Sequence, residues 1–153
     1  MTLGELIQQS RFSSPSQEAL LNVLATASYI TSEMGSTLAD SGVTQAQYNV
    51  LRILRGGHPE PYACSEIAGR LLDRTPDVTR LLVRLERQGL VRRQRAEHDR
   101  RVVEVEITEA GLELLETLDA PVSDTLERLT AHLDDAELQA ISTLLERVRT
   151  DQA

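Results

Sequence analysis

The chain has one cysteine, one phenylalanine, no tryptophan and no lysine among its 153 residues. A lone cysteine cannot close an internal disulfide, and MTLGELIQQS lacks the basic start and apolar stretch of a signal peptide, so a cytoplasmic location is expected. Aromatic residues make up only 3%, which argues against the stacking platforms that hold single-stranded nucleic acid. No apolar run approaches the roughly 18 residues of a membrane span. The histidines His58, His98 and His132 have no ligand-type partner at helical spacing, so no metal site is expected. Paired carboxylates, a nucleophile–base set and a Gly-rich phosphate loop are also missing, which points away from an enzyme and from a cofactor.

What is present is unevenly distributed charge. The net charge of −8 would ordinarily disfavour a polyanionic partner. Residues 1–61, however, carry 3 arginines against 5 acids, residues 62–107 carry 10 against 8, and residues 108–153 carry 3 against 11. Screening limits a charge's reach to about 10 Å, so the local excess decides docking. The basic segment also has a pattern. Arg80, Arg84 and Arg87 fall at i, i+4 and i+7 on one helical face, opposite Val78, Leu81, Leu82 and Leu85. After Gly89 the period changes to that of a two-stranded hairpin, in which Val103, Val105 and Ile107 alternate with Val102, Glu104 and Glu106. Such a unit suits nucleic acid.

Start and stop signals divide the rest into helices. A short helix is expected over residues 2–9. Ser14, Pro15 and Gln17 supply an N-cap, a proline at N1 and a capping-box partner for a helix reaching Asp40. Thr44 with Gln47 opens the next, which ends at Gly56-Gly57, and GGHPEPY reads as a loop. Cys64 to Leu72 reads as a short helix; Thr75 as N-cap and Pro76 at N1 begin another, which ends at Gln88 before a left-handed Gly89. Thr108 caps a long helix with a leucine-rich stripe, expected to kink at Pro121, and Asp134 with Glu137 opens the last. The outer helices are amphipathic and lack partners within the small central unit, which predicts a homodimer. The fold class is therefore mainly α with a small β-hairpin wing: a winged helix–turn–helix over residues 44–108, flanked by helical dimerisation regions at 1–43 and 109–153.

A helix–turn–helix lays its second helix in the major groove. Here the residues placed to act are Thr75, Pro76, Asp77, Thr79, Arg80, Val83 and Arg84. Arg80 and Arg84 suit guanine, the threonines suit phosphate or base edges, and Val83 suits a thymine methyl. Asp77 would be repelled by phosphate; it either accepts from a cytosine amino group or pairs with Arg80 at i, i+3. On the hairpin, Arg93, Arg95, Arg100 and Arg101 are candidate contacts with phosphate or the minor groove, and Asp99 is expected to orient a neighbouring arginine.

Three stretches in order resemble the MarR family of bacterial transcriptional regulators. They are Thr44-x-x-Gln47-Tyr48-x-Val50-Leu51, Ser65-Glu66-Ile67-Ala68, and Val78-Thr79-Arg80-Leu81-Leu82-x-Arg84-Leu85-Glu86-x-x-Gly89-Leu90-Val91. Asp99-x-Arg101 and Ile107-Thr108-x-x-Gly111 follow. The resemblance implies a winged-helix homodimer on a pseudo-palindromic double-stranded DNA operator. It also implies repression relieved by a small anionic or phenolic effector, a recognition helix over Thr75–Gln88, and Arg101 as the minor-groove arginine. The implied effector pocket would draw on Tyr29, Tyr48 and Arg52, although core packing explains both tyrosines equally well. Two alternatives stand beside this reading. One is a winged-helix protein-interaction module with little DNA specificity. The other is a regulator switched through the Cys64 thiol, set against Cys64 as a small packed residue.

Overall fold

Helix caps do much of the work of placing the elements. In the computed structural model, which describes residues 1–71, 77–96, 99 and 101–150, Thr2 and Glu5 form a capping box on α1 (Leu3–Ile7). Ser14 caps α2 (Pro15–Leu38), with Pro15 at its first position. Gln17 does not close the expected box on Ser14. Its Oε1 accepts from the backbone N–H of Ser13 instead, at 2.7 Å, so the reciprocal bond falls one residue earlier. A 3-10 turn, Ala39–Ser41, and Gly42 at φ 75° end the helix. The Thr44–Gln47 box opens α3 (Gln45–Gly57) as expected.

Next come β1 (Tyr62–Ala63), α4 (Cys64–Arg70), α5 (Val78–Arg87), β2 (Val91–Arg95), β3 (Val103–Ile107), α6 (Glu109–Thr130) and α7 (Asp135–Arg149). The hairpin is therefore part of a three-stranded antiparallel sheet in the order β1-β3-β2. The segment expected to be only loop supplies the third strand, with Tyr62 opposite Val105 and Ala63 opposite Glu104. A two-residue strand is too short to show alternation, so its sequence carries no period to read. Helix α4 ends before Leu72, because Leu71 turns out to extended backbone at φ −68°, ψ 136°.

Helix α5 starts later than expected: its N-cap is Asp77, whose side chain accepts from the Arg80 N–H at 3.2 Å. An aspartate is as good a cap as threonine, and it competes for the position. Thr75 and Pro76 lie outside the described residues. The C-terminus of α5 follows the expected signal closely. Gly89 stands at φ 75°, its N–H donates to the Glu86 carbonyl, and the Leu90 N–H donates to the Leu85 carbonyl. That pair of bonds is a Schellman motif, with Leu85 and Leu90 as its apolar ends.

One core runs through these elements. Leu38, Val50, Leu51, Leu54, Ile67, Leu82, Leu85, Val105 and Leu115 are the large side chains it buries almost completely. Leu38 comes from α2 and Leu115 from α6, so the packing is continuous across the boundaries read at 43/44 and 108/109. A bidentate bond from Arg55 to Asp119, at 2.8 and 3.0 Å, also ties α3 to α6, and raises the Arg55 pKa. Between α2 and α6, Thr37 and Thr125 share a hydrogen bond at 2.8 Å and Arg128 donates to Glu33 at 2.7 Å. Helix α6 continues through Pro121 as one element, although that residue offers no N–H to Thr117. Helix α7 buries none of its residues. Among the described residues no helix is long and apolar enough to cross a membrane.

Candidate nucleic-acid interface

Helix α5 is two-sided. Leu82 and Leu85 are fully buried, Val78 and Leu81 pack against the same core, and Thr79, Arg80, Arg84 and Arg87 are exposed. Val83 is half-buried between the two sides. Gln88 anchors the far end, donating to the Gly42 carbonyl at 2.8 Å and accepting from buried Gln47 at 3.2 Å. Nothing in the sequence spacing announces this link, which spans 41 residues. Asp77 resolves its two readings toward the ion pair. One carboxylate oxygen caps the helix while the other lies 3.2 Å from Arg80 Nε.

The wing separates its arginines by strand register. Directly opposed residues in an antiparallel pair point to one face. Arg93 stands opposite Val105 and Val91 opposite Ile107, so Arg93 shares the buried face. There it meets Glu86 of α5. Its backbone N–H, Nε and Nη2 donate to that carboxylate at 3.3, 2.9 and 2.6 Å, and the pairing holds Glu86 below the usual carboxylate range. Arg93 is thus a strut between α5 and β2, set apart from Arg95, which stands opposite Val103 on the same face, by the Glu86 carboxylate rather than by register alone. Arg92 faces outward and pairs across the strands with Glu106 at 2.8 Å. Arg95 and Arg101 are exposed. Asp99 organises the tip through the backbone: its Oδ1 accepts from the Arg101 N–H and its carbonyl accepts from the Val102 N–H, both at 2.9 Å. Arg100 lies outside the described residues. Ala96, buried to 1%, continues the hairpin pairing, its N–H donating to the Val102 carbonyl at 3.0 Å.

The three residues expected to line an effector pocket do not converge. Tyr48 is buried in the core, and Arg52 is exposed with its guanidinium 5.9 Å from the Tyr48 ring centre. Tyr29 lies on α2, more than half exposed, beside a separate depression of about 470 Å3 shared with Leu6, Ala25 and His132. Arg52 opens instead onto a cleft with Arg70. Cys64 packs against the core, and burial pushes its thiol up, opposed by the charge of Arg93. It behaves as a small packed residue, the opposite of an activated thiol. Among the described residues no cluster of His, Cys, Asp and Glu is arranged to hold a metal ion.

A helix–turn–helix with an arginine-bearing second helix and an adjoining basic wing defines a winged-helix DNA-binding protein. The MarR family profile matches residues 43–103. A MarR transcription factor from Planctomyces limnophilus is 42% identical, with 89% of this chain and 98% of that one covered at a TM-score of 0.70. The chain belongs to the MarR family of transcription regulators. A MarR variant from Escherichia coli, solved in complex with operator DNA, is 26% identical over 84% of this chain and 91% of its own, at a TM-score of 0.75. BpsR of Bordetella bronchiseptica, whose DNA binding is regulated by 6-hydroxynicotinic acid, is 25% identical over 87% and 100%, at 0.74. The transcriptional repressor IacR of Pseudomonas putida is 30% identical over 55% of this chain, and the match spans half of that protein's length.

Proposed function

We propose that the chain is a homodimeric repressor that reads a pseudo-palindromic operator with α5 in the major groove and its wing in the minor groove, and that a small organic ligand releases it. The observation that carries this reading is the one-sidedness of α5, with Leu82 and Leu85 fully buried beneath exposed Thr79, Arg80 and Arg84. Arg80 and Arg84 each take a guanine through two hydrogen bonds, Thr79 bonds a phosphate or base edge, and Val83 touches a thymine methyl. Arg101 enters the minor groove, where narrow A·T-rich stretches concentrate negative potential, and Arg95 meets phosphate. Thr75, Pro76 and Arg100, outside the described residues, are further candidate contacts from the sequence alone. Residues 44–108 form the DNA-binding unit in this reading, and 1–43 with 109–153 form the dimer. The operator complex of the Escherichia coli relative and the regulation of BpsR by an aromatic acid support the operator and the effector.

Footprinting of the DNA upstream of the chain's own gene tests this. Protection should fall steeply with salt, as each neutralised phosphate releases counterion. Arg84→Ala should cost about 1–3 kcal/mol and relax base preference at one position in each half-site. Arg101→Ala should weaken binding most where the flanks are A·T-rich. Selection from random duplexes that returns no preferred sequence would overturn the reading and favour a protein-interaction module.

A further inference from the structure

Gln88 stands where α5 ends, and two hydrogen bonds tie its side chain to a distant corner of the fold. It is the C-cap of the helix, its backbone N–H donating to the Arg84 carbonyl at 3.1 Å. Its Nε2 donates to the Gly42 carbonyl at 2.8 Å, and its Oε1 accepts from Gln47 Nε2 at 3.2 Å. Gly42, at φ 75°, is the residue that turns the chain from the end of α2 toward α3. Gln47 is only 5% exposed, and its Oε1 accepts from the Thr44 N–H at 2.9 Å, so its amide is fixed at both ends. Among the described residues these are the hydrogen bonds that join α5 to the α2–α3 corner. Leu82 and Leu85 hold α5 down by apolar burial, which has no preferred direction. The paired amides do have one, and so fix how the helix is aimed.

A tie at this end has leverage at the other. The 10 residues of α5 make a rod of about 15 Å. Tilting that rod by about 10° around Gln88 moves its N-terminal end, which carries Thr79 and Arg80, by about 2–3 Å. In a two-fold dimer both helices move, so the separation of their N-terminal ends changes by up to about 5 Å. One base pair rises only about 3.4 Å along the duplex. We propose that Gln88 is a positioning residue for operator spacing: by tying the end of α5 to the Gly42 corner, it sets the separation of the two recognition helices and hence the half-site spacing that the dimer accepts. Arg80 and Arg84 then read the bases within a half-site, and Gln88 governs the distance between half-sites. This rests on the dimeric operator reading and adds a determinant that the base contacts do not supply.

Selection from duplexes that carry the footprinted half-sites at varied spacing tests this, with Gln88→Met and Gln88→Glu beside the unmodified chain. Methionine has the length of glutamine and makes neither bond. Glutamate can accept from Gln47 but cannot donate to the Gly42 carbonyl. The unmodified chain should prefer one spacing by roughly tenfold or more over those one base pair longer or shorter. Both variants should reduce that ratio to about threefold or less, while selecting the same bases in each half-site and remaining dimeric in sedimentation. Full discrimination in Gln88→Met overturns the proposal, as does full discrimination in Gln88→Glu, which would leave the Gly42 bond without a role. So does a loss of base preference together with spacing, the mark of a recognition helix that has merely come loose. Spin labels on Arg87→Cys in a Cys64→Ser background read the helix separation without DNA. Their distance distribution should widen in Gln88→Met, and an unchanged distribution also overturns the proposal. If the unmodified chain selects no operator, the operator reading fails, and the label distances judge the tie separately.

Discussion

Arg93 and Glu86 show how a single ion pair divides a basic surface into structural and outward-facing parts. Their side chains are 25% and 37% exposed, so solvent screens the pair and its coupling should be about 0.5–1 kcal/mol. Because Arg93 holds the folded-state pKa of Glu86 below its unfolded value, the stabilisation is present above the ordinary carboxylate range. It is lost as pH falls through the lowered folded value. The urea midpoint of the unmodified chain should therefore exceed that of Glu86→Gln at neutral pH, and the gap should close on acidification. A gap that persists in acid would mean that the side chain stabilises by packing alone. Charge and spacing made Arg80, Arg84 and Arg101 legible as outward arginines from the sequence. The structural part of Arg93 was not, since Arg92, Arg93 and Arg95 look alike in sequence; register separates only Arg92 from the other two, and the Glu86 carboxylate on α5 then singles out Arg93.

At the scale of elements, the legible parts are those whose signal is local. Thr44 with Gln47, Asp134 with Glu137, and Gly89 each act within a turn of the chain, and each stands where its neighbours imply. What escaped depends on distant partners: β1 exists because β3 offers an edge, and the Gln47–Gln88 link exists because two helices cross. Gly111 belongs to the second kind. A methyl group there would meet the Leu90 carbonyl oxygen and the Ile107 side chain, and Leu90 cannot retreat because its N–H is fixed in the Schellman motif. The same stretch receives the Thr108 hydroxyl, which donates to the Gly89 carbonyl at 2.7 Å, so α6 starts packed against the end of α5. Gly111→Ala should destabilise by about 1–3 kcal/mol through overpacking, outweighing the gain of about 1 kcal/mol in helix propensity. Gly56→Ala, in α3 with open space around it, should instead stabilise by about 0.5–1 kcal/mol. Urea titration of both variants checks the opposite signs. A higher midpoint for Gly111→Ala would rule out the close approach.

For the whole molecule, the outstanding feature is apolar surface that one chain leaves uncovered. Leu20 and Leu24 on α2 are 50% and 66% exposed, and Ile141, Leu144 and Val148 on α7 are 44%, 56% and 61% exposed. Their spacings of four, and of three and four, put each set on one helical face. In the proposed homodimer a second copy would cover such faces with the same residues, so every substitution would act twice. Burying a leucine is worth about 1.5–3 kcal/mol. Leu24→Glu or Leu144→Glu should therefore cost at least about 3 kcal/mol of association, a weakening of roughly 100-fold or more. Sedimentation equilibrium should show the unmodified chain as a dimer and the variants shifted toward monomer at equal concentration. The thermal midpoint of the unmodified chain should rise with protein concentration, and that dependence should shift to higher concentration in the variants. Operator affinity should fall with dimerisation although neither residue lies on α5 or the wing, because two half-sites are then no longer engaged together. A variant that stays dimeric would place the interface elsewhere on the terminal helices. A monomer that binds the full operator undiminished would break the link between the acidic helical scaffold and the basic face it carries.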